Sequence, residues 1–334
     1  MKYINKILLC ACFFMATTSF ASTPKDTSVK FAFLSPNYQS PSTSATFNGA
    51  RDAAKALRGR FGKDMSVDFI SAENSAQKQL KQLSNLYLDG YKGAIVYPVE
   101  GNANEISAAA QTLAERGFYV SIVGTQVNAE HLAACVSTDT KKTAEMLSKQ
   151  IEKFSEGKKI SILCYFYDQG ERKSLDFTDK DLIAKYIYPN LTFKEFSNIF
   201  EPLAPSKMIA MQYYWQYAKQ NALEIQRYDN FGEIFFSPRL LEDVSPIKKD
   251  IDRRFAIVIG ALPQFAFYLS AGAINACIYD DFYGWGYIAA RALMEKSFDS
   301  QNGEVGTQFK LLSPLLATPN SVKDFVSDWR KWLK

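Results

Sequence analysis

The stretch Val29–Gly59, VKFAFLSPNYQSPSTSATFNGARDAAKALRG, limits the fold more than any other part of the chain. Val29–Ser35 is a short apolar run without polar alternation, the pattern of a strand covered on both faces. Pro36 stops it, and a loop rich in hydroxyls follows. Ser44 then offers a cap for a helix in which Phe47, Ala50, Ala54 and Leu57 share one face. A buried parallel strand, a loop at its carboxyl end and an amphipathic return helix form half of a βαβ unit. In such sheets ligands sit beyond the carboxyl ends of the strands, which directs attention to Asn37–Thr43.

The unit recurs. Ser66–Ser71 reads as a strand before a helix from about Ser75 to Asp89 that ends at Gly90. Gly93–Tyr97 is broken by Pro98, and its loop carries Glu100, Asn102 and Asn104. A helix from about Asn104 to Arg116 ends at Gly117, and Phe118–Val123 leads into Gly124-Thr125-Gln126. After a short crossover a helix over Lys141–Phe154 precedes the apolar strand Lys159–Phe166 and the polar loop Tyr167–Arg172. Later turns of the cycle are less regular: a strand near Thr192–Ile199, a helix near Pro205–Lys219, and an interrupted helix containing Pro246. Strands at Glu233–Ser237, Phe255–Ile259 and Ile274–Tyr279 accompany them, before a helix over Tyr283–Lys296. The pattern predicts an α/β fold of two Rossmann-like lobes, each a parallel sheet flanked by helices. At 334 residues the chain is long enough for two cores, and no Gly/Ser tether separates them. The lobes are therefore expected to be joined by several short crossings.

Lys2 and Lys6, the apolar centre Ile7–Ala16 and the small residues around Ala21 read as a secretory signal cut after Ala21. Leu9-Cys10-Ala11-Cys12 loosely resembles a lipobox, but cleavage there would leave a very short apolar core. The chain is thus expected to be exported and periplasmic. Cys135, Cys164 and Cys277 would remain, an odd count set among apolar residues; they read as buried small hydrophobes, and a Cys135–Cys164 pair cannot be deduced from spacing. A net charge of +4 without a basic stripe argues against nucleic acid as a partner.

Catalytic signatures are missing. His131 is the one histidine, which leaves no convincing metal cluster, and no G-x-S-x-G elbow occurs. Neither G-x-x-x-x-G-K nor G-x-G-x-x-G follows a strand, so no cofactor is expected. Asp280 and Asp281 are neighbours whose side chains point apart, not the facing carboxylates of glycoside cleavage.

The order of elements resembles the type I periplasmic binding proteins of the ribose and galactose kind. Three segments carry the resemblance: FAFLSPNYQSPSTSATFNGARDAA, AIVYPVEGNANEISAAAQTLAERGFYVSIVGTQV, and AINACIYDDFYGWGYIAARALMEKS followed by FKLLSPLLATPNSVKDF. It implies a first lobe over 29–126 plus about 281–312 and a second over 127–280 plus about 313–334. It also implies ligand contacts from Asn37, Tyr38, Glu100 and Asn102, with Gln126 at the first crossing between lobes. Arg172 falls where the family often has an arginine, and Asp280 where it has a polar hinge residue, usually an amide. Tyr38, Tyr167 and Trp285 supply ring types suited to a sugar wall, although Trp285 lies inside a helix and can simply pack beneath the sheet. Sugar binders commonly grip hydroxyls with an aspartate after Val258-Ile259-Gly260 and an Asn-Asp pair after Glu233–Phe236. This chain has Ala261 and Ser237-Pro238-Arg239 instead. The implied function is closure on a small polar, sugar-like ligand without chemistry, read by a membrane permease or, alternatively, by a sensor kinase or chemoreceptor.

Overall fold

The strands assemble into two six-stranded sheets, one in each lobe. The computed structural model describes residues 28–38, 40–156, 158, 160–166, 207–212, 231–238, 253–298 and 306–334. The first sheet is built from β1 (Val29–Ser35), β2 (Met65–Ser71), β3 (Gly93–Val96), β4 (Tyr119–Val123), β5 (Ala134–Thr138) and β11 (Gln308–Leu312). Its order is β11-β5-β4-β3-β1-β2, all parallel. The second contains β6 (Ser161–Phe166), β7 (Lys207–Gln212), β8 (Phe231–Phe235), β9 (Arg253–Ile259), β10 (Ala276–Tyr279) and β12 (Leu315–Ala317). Its order is β12-β10-β9-β8-β6-β7, parallel except for the antiparallel edge strand β12.

β1 shows why these strands are apolar throughout. Phe31 and Phe33 face one core, with Ala50 and Ala53 of α1 (Pro41–Phe61), while Ala32 and Leu34 face the other. That second core takes Leu83 of α2 (Ala76–Leu86) and Ile106 of α3 (Ala103–Ala114). A polar residue at any of the four strand positions would be buried without a partner. The remaining α-helices among the described residues are α4 (Thr140–Ser155), α5 (Phe265–Ser270), α6 (Phe282–Phe298) and α7 (Val322–Trp332).

Several boundaries differ from the sequence reading. α1 begins at Pro41, not after Ser44: the Ser40 hydroxyl accepts the Thr43 N–H at 3.2 Å, and proline suits the first helical turn. Lys207–Gln212 is a strand beside β6 where a helix was expected; a short apolar run such as Met-Ile-Ala-Met fits either state, and pairing decides. Ala134–Thr138, taken as part of a crossover, is a strand of the first sheet, so that sheet continues past Gln126.

Helix α7 packs on both α1 and α5, and so spans the two lobes. Phe325, Trp329 and Trp332 are its buried face. Asn48 of α1 donates from Nδ2 to the Trp332 carbonyl at 2.8 Å.

Candidate functional site

A cavity of about 750 Å³ lies between the carboxyl ends of the two sheets. The first lobe supplies three stretches of its wall: Pro36, Asn37 and Ser40–Thr43 after β1, Tyr97–Gly101 with Ala103 after β3, and Val123–Thr125 after β4, with Asn74 beside them. Pro238, after β8, and Leu262, after β9, come from across the gap.

Each segment is held by bonds that its sequence provides. In the first, Ser40 caps α1 and exchanges further bonds with Ser42 and Thr43, so that the opening turn of the helix presents hydroxyls to the cavity. Ser35 donates to the Asn37 carbonyl at 2.7 Å, while the Asn37 Oδ1 is buried without a donor among the described residues. In the second, Asn102 N–H closes a turn onto the Val99 carbonyl at 2.9 Å, with Gly101 at φ 78°. That positive φ suits glycine and leaves Glu100 exposed at the turn's apex. The side chain of Gln79 steadies the strand end below it, donating to the Tyr97 carbonyl and accepting from Val99 N–H, both at 2.8 Å. In the third, the Cys135 thiol donates to the Thr125 carbonyl at 3.2 Å and accepts from Val127 N–H at 3.4 Å. Burial pushes that thiol's pKa up, and Cys135 and Cys277 are both free.

Gln79→Leu is therefore expected to leave a carbonyl and an N–H unpaired and to cost roughly 2–4 kcal/mol. Urea denaturation measures the loss; a variant as stable as the wild type would remove Gln79 from this supporting role.

Among the residues expected at the site, Asn37 and Glu100 line the cavity. Asn102 does not: it is buried at the start of α3, where its Nδ2 faces the Ala76 carbonyl and Gln79 Oε1 at 3.4 and 3.5 Å. Tyr38 is 66% exposed and lies beside Phe69 with ring centroids 6.5 Å apart, outside the lining. Gln126 is exposed one residue beyond the lining residue Thr125. Tyr167 and Arg172 fall outside the described residues, as do Arg239 and the segment 1–21. Trp285 is buried behind the wall, edge-on to Tyr97 at 6.0 Å. The single histidine, His131, is bonded to the Ser107 carbonyl at 2.7 Å. Sequence reasoning did not single out Asn74 or Leu262: Asn74 follows β2 without a proline or glycine break, and Leu262, although it follows Gly260 at the end of β9, is an apolar residue with no group to mark it as a ligand contact.

Asp280 sits at the end of β10, beside Thr138 at the end of β5 and outside the lining. Burial raises its pKa from 3.8 to about 6; the charge of Asp281 adds to this, and the Thr138 hydroxyl opposes it. Asp281 has a different task, accepting Gly284 N–H at 2.7 Å in the first turn of α6. The folded chain thus holds the Asp280 proton to higher pH than the unfolded chain does. The associated stability is complete below about pH 3.8 and is lost as pH rises through about 6. Asp280→Asn is expected to exceed the wild type at pH 7 by up to about 3 kcal/mol. Thermal unfolding at several pH values measures the gap, which should close on acidification; a gap independent of pH would contradict the assignment.

The family described as periplasmic binding protein domain matches residues 31–217, more than half of the chain. The chain belongs to this periplasmic binding protein family. No curated protein sequence matches it. Among solved structures, this periplasmic binding protein is similar to a galactofuranose-binding protein, with TM-score 0.65 and 12% identity over 92% of this chain and 100% of that one. It is also similar to an ABC transporter solute-binding protein from Bacillus halodurans C-125 with bound myo-inositol (TM-score 0.64, 14% identity, 92% and 100% covered). A third is an arabinose-binding protein from Geobacillus stearothermophilus (TM-score 0.66, 13% identity, 89% and 99% covered). At such identities the likeness establishes the two-lobed fold and leaves the ligand to be argued from the wall of the cavity. The family is one of binding proteins, in line with the expectation of binding rather than catalysis.

Proposed function

We propose that this protein is exported to the periplasm, closes on a small sugar-like or polyol ligand and delivers it to an ABC-type permease. The observation that carries the reading is the first-lobe wall, where Asn37, Ser40, Ser42, Thr43, Glu100 and Thr125 converge on one cavity. A polyhydroxylated ligand needs several directional partners at once, because each buried hydroxyl left unpaired costs about 1–3 kcal/mol. Hydroxyls and an amide satisfy such a ligand without requiring it to carry charge. The neighbouring structures are described as binding galactofuranose, myo-inositol and arabinose, which supports the same class.

Closure would occur about three short crossings: Thr138–Thr140, Tyr279–Phe282 and Leu312–Leu315, each joining an element of one sheet's lobe to one of the other's. A ligand bridging both walls binds the closed form better and shifts the equilibrium toward it. The segment 1–21 would serve as the export signal.

A thermal-shift screen tests the reading. At a ligand concentration 100 times Kd the folded state gains about 2.7 kcal/mol. Neutral sugars or polyols are expected to raise the melting temperature, and Glu100→Ala to reduce the rise. Stabilisation by amino acids or peptides with none from sugars or polyols would overturn it.

A further inference from the structure

Among the described residues the two walls of the cavity differ in kind. The first lobe brings hydroxyl, amide and carboxylate groups; the described residues facing them from the second sheet are Pro238 and Leu262. These two belong to one continuous surface. Gly260 leaves β9 at φ 91°, and a Cβ there would lie 2.7 Å from the Pro238 Cδ, so the proline ring rests directly on the glycine. Ala261 and Leu262 follow, 1% and 7% exposed. The patch is fixed in place: Gly260 N–H donates to the Ile278 carbonyl at 2.6 Å, and the Leu262 carbonyl accepts Phe265 N–H at 2.9 Å in the turn into α5. Pro238, Ala261 and Leu262 offer no side-chain donor or acceptor. The sequence segments Ser237-Pro238 and Gly260-Ala261 are thus brought together in space on the cavity's far side.

We infer that this patch is a subsite for an apolar substituent, and that the ligand is a deoxy or methylated sugar whose methyl group lies against Pro238 and Leu262. The inference rests on the reading of the cavity as a sugar site. A hydroxyl pressed on the patch loses water and gains no partner, whereas a methyl group loses nothing by leaving water. The hydroxyl-rich wall opposite takes the ligand's remaining oxygens, which sets its orientation between the lobes.

Matched pairs test the inference by isothermal titration calorimetry on the purified protein: D-fucose with D-galactose, L-rhamnose with L-mannose, and quinovose with glucose. In at least one pair the deoxy sugar is expected to bind tighter by about tenfold or more, the scale on which an apolar pocket discriminates. Leu262→Ser, or Pro238→Ser should the first variant fold poorly, is expected to narrow that ratio toward unity. Equal or tighter binding of the hydroxylated partner in every pair would overturn the apolar subsite and leave the sugar reading standing. Binding of none of the six sugars would overturn the deoxy-sugar inference and leave the sugar or polyol reading to the thermal-shift screen.

Discussion

Gly286→Val is expected to remove most of the protein's stability, by about 3 kcal/mol or more. Helices α1 and α6 cross so closely that their backbones touch. A Cβ on Gly286 would run into the Thr46 carbonyl oxygen and lie 2.7 Å from its carbon, while one on Gly49 would collide with the Tyr283 carbonyl and lie 2.9 Å from Tyr287 N. The obstacles are main-chain atoms, so no side chain can rotate away, and relief requires the helices to separate. Separation would also open the alanine-lined contact of Ala45, Ala50 and Ala53 with Ala289 and Ala290, all buried. Urea unfolding of the variant should show an early midpoint or no cooperative transition. A midpoint within error of wild type would mean that the helices do not cross as described.

Trp285→Ala should be comparably costly, about 3–5 kcal/mol for an aromatic ring lost from a core. The ring is 3% exposed and meets Tyr97 and Phe282 edge-to-face at 6.0 and 5.1 Å. The series continues from Phe282 to Trp329 at 6.0 Å and from Trp329 to Trp332 at 5.1 Å, which ties the cavity wall to α7. Tyr97 lines the cavity, so loss of the indole should weaken ligand binding as well as folding. Trp285→Phe keeps a ring and should recover most of the stability. Equal losses for Phe and Ala would point to some cause other than ring packing.

The fold was legible wherever a short apolar run met a proline or glycine. β1, β3 and helices α2 and α3 announce themselves in this way, although these helices stop at Leu86 and Ala114 and Gly90 and Gly117 lie in the turns that follow. Ala134–Thr138 carries no such mark, and its neighbour β11 lies far along the chain, so only the assembled sheet reveals it. Lys207–Gln212 is short enough that its state depends on the edge of β6. For the site, the loops were legible and the side-chain directions were not. Glu100 and Asn102 share one loop, yet the turn at Gly101 exposes the first, while Ala76 and Gln79 draw the second inward. Tyr38 follows Asn37 but turns toward Phe69. Such choices are made by tertiary partners distant in sequence, and spacing alone does not contain them.

Mass spectrometry of small molecules released from natively purified protein addresses the cavity most directly. Wild-type protein should yield one polyhydroxylated compound in near-stoichiometric amount, and Glu100→Ala markedly less of it. Release of an amino acid or peptide instead, or the same sugar in equal amount from both proteins, would contradict a ligand held between the two strand-end walls.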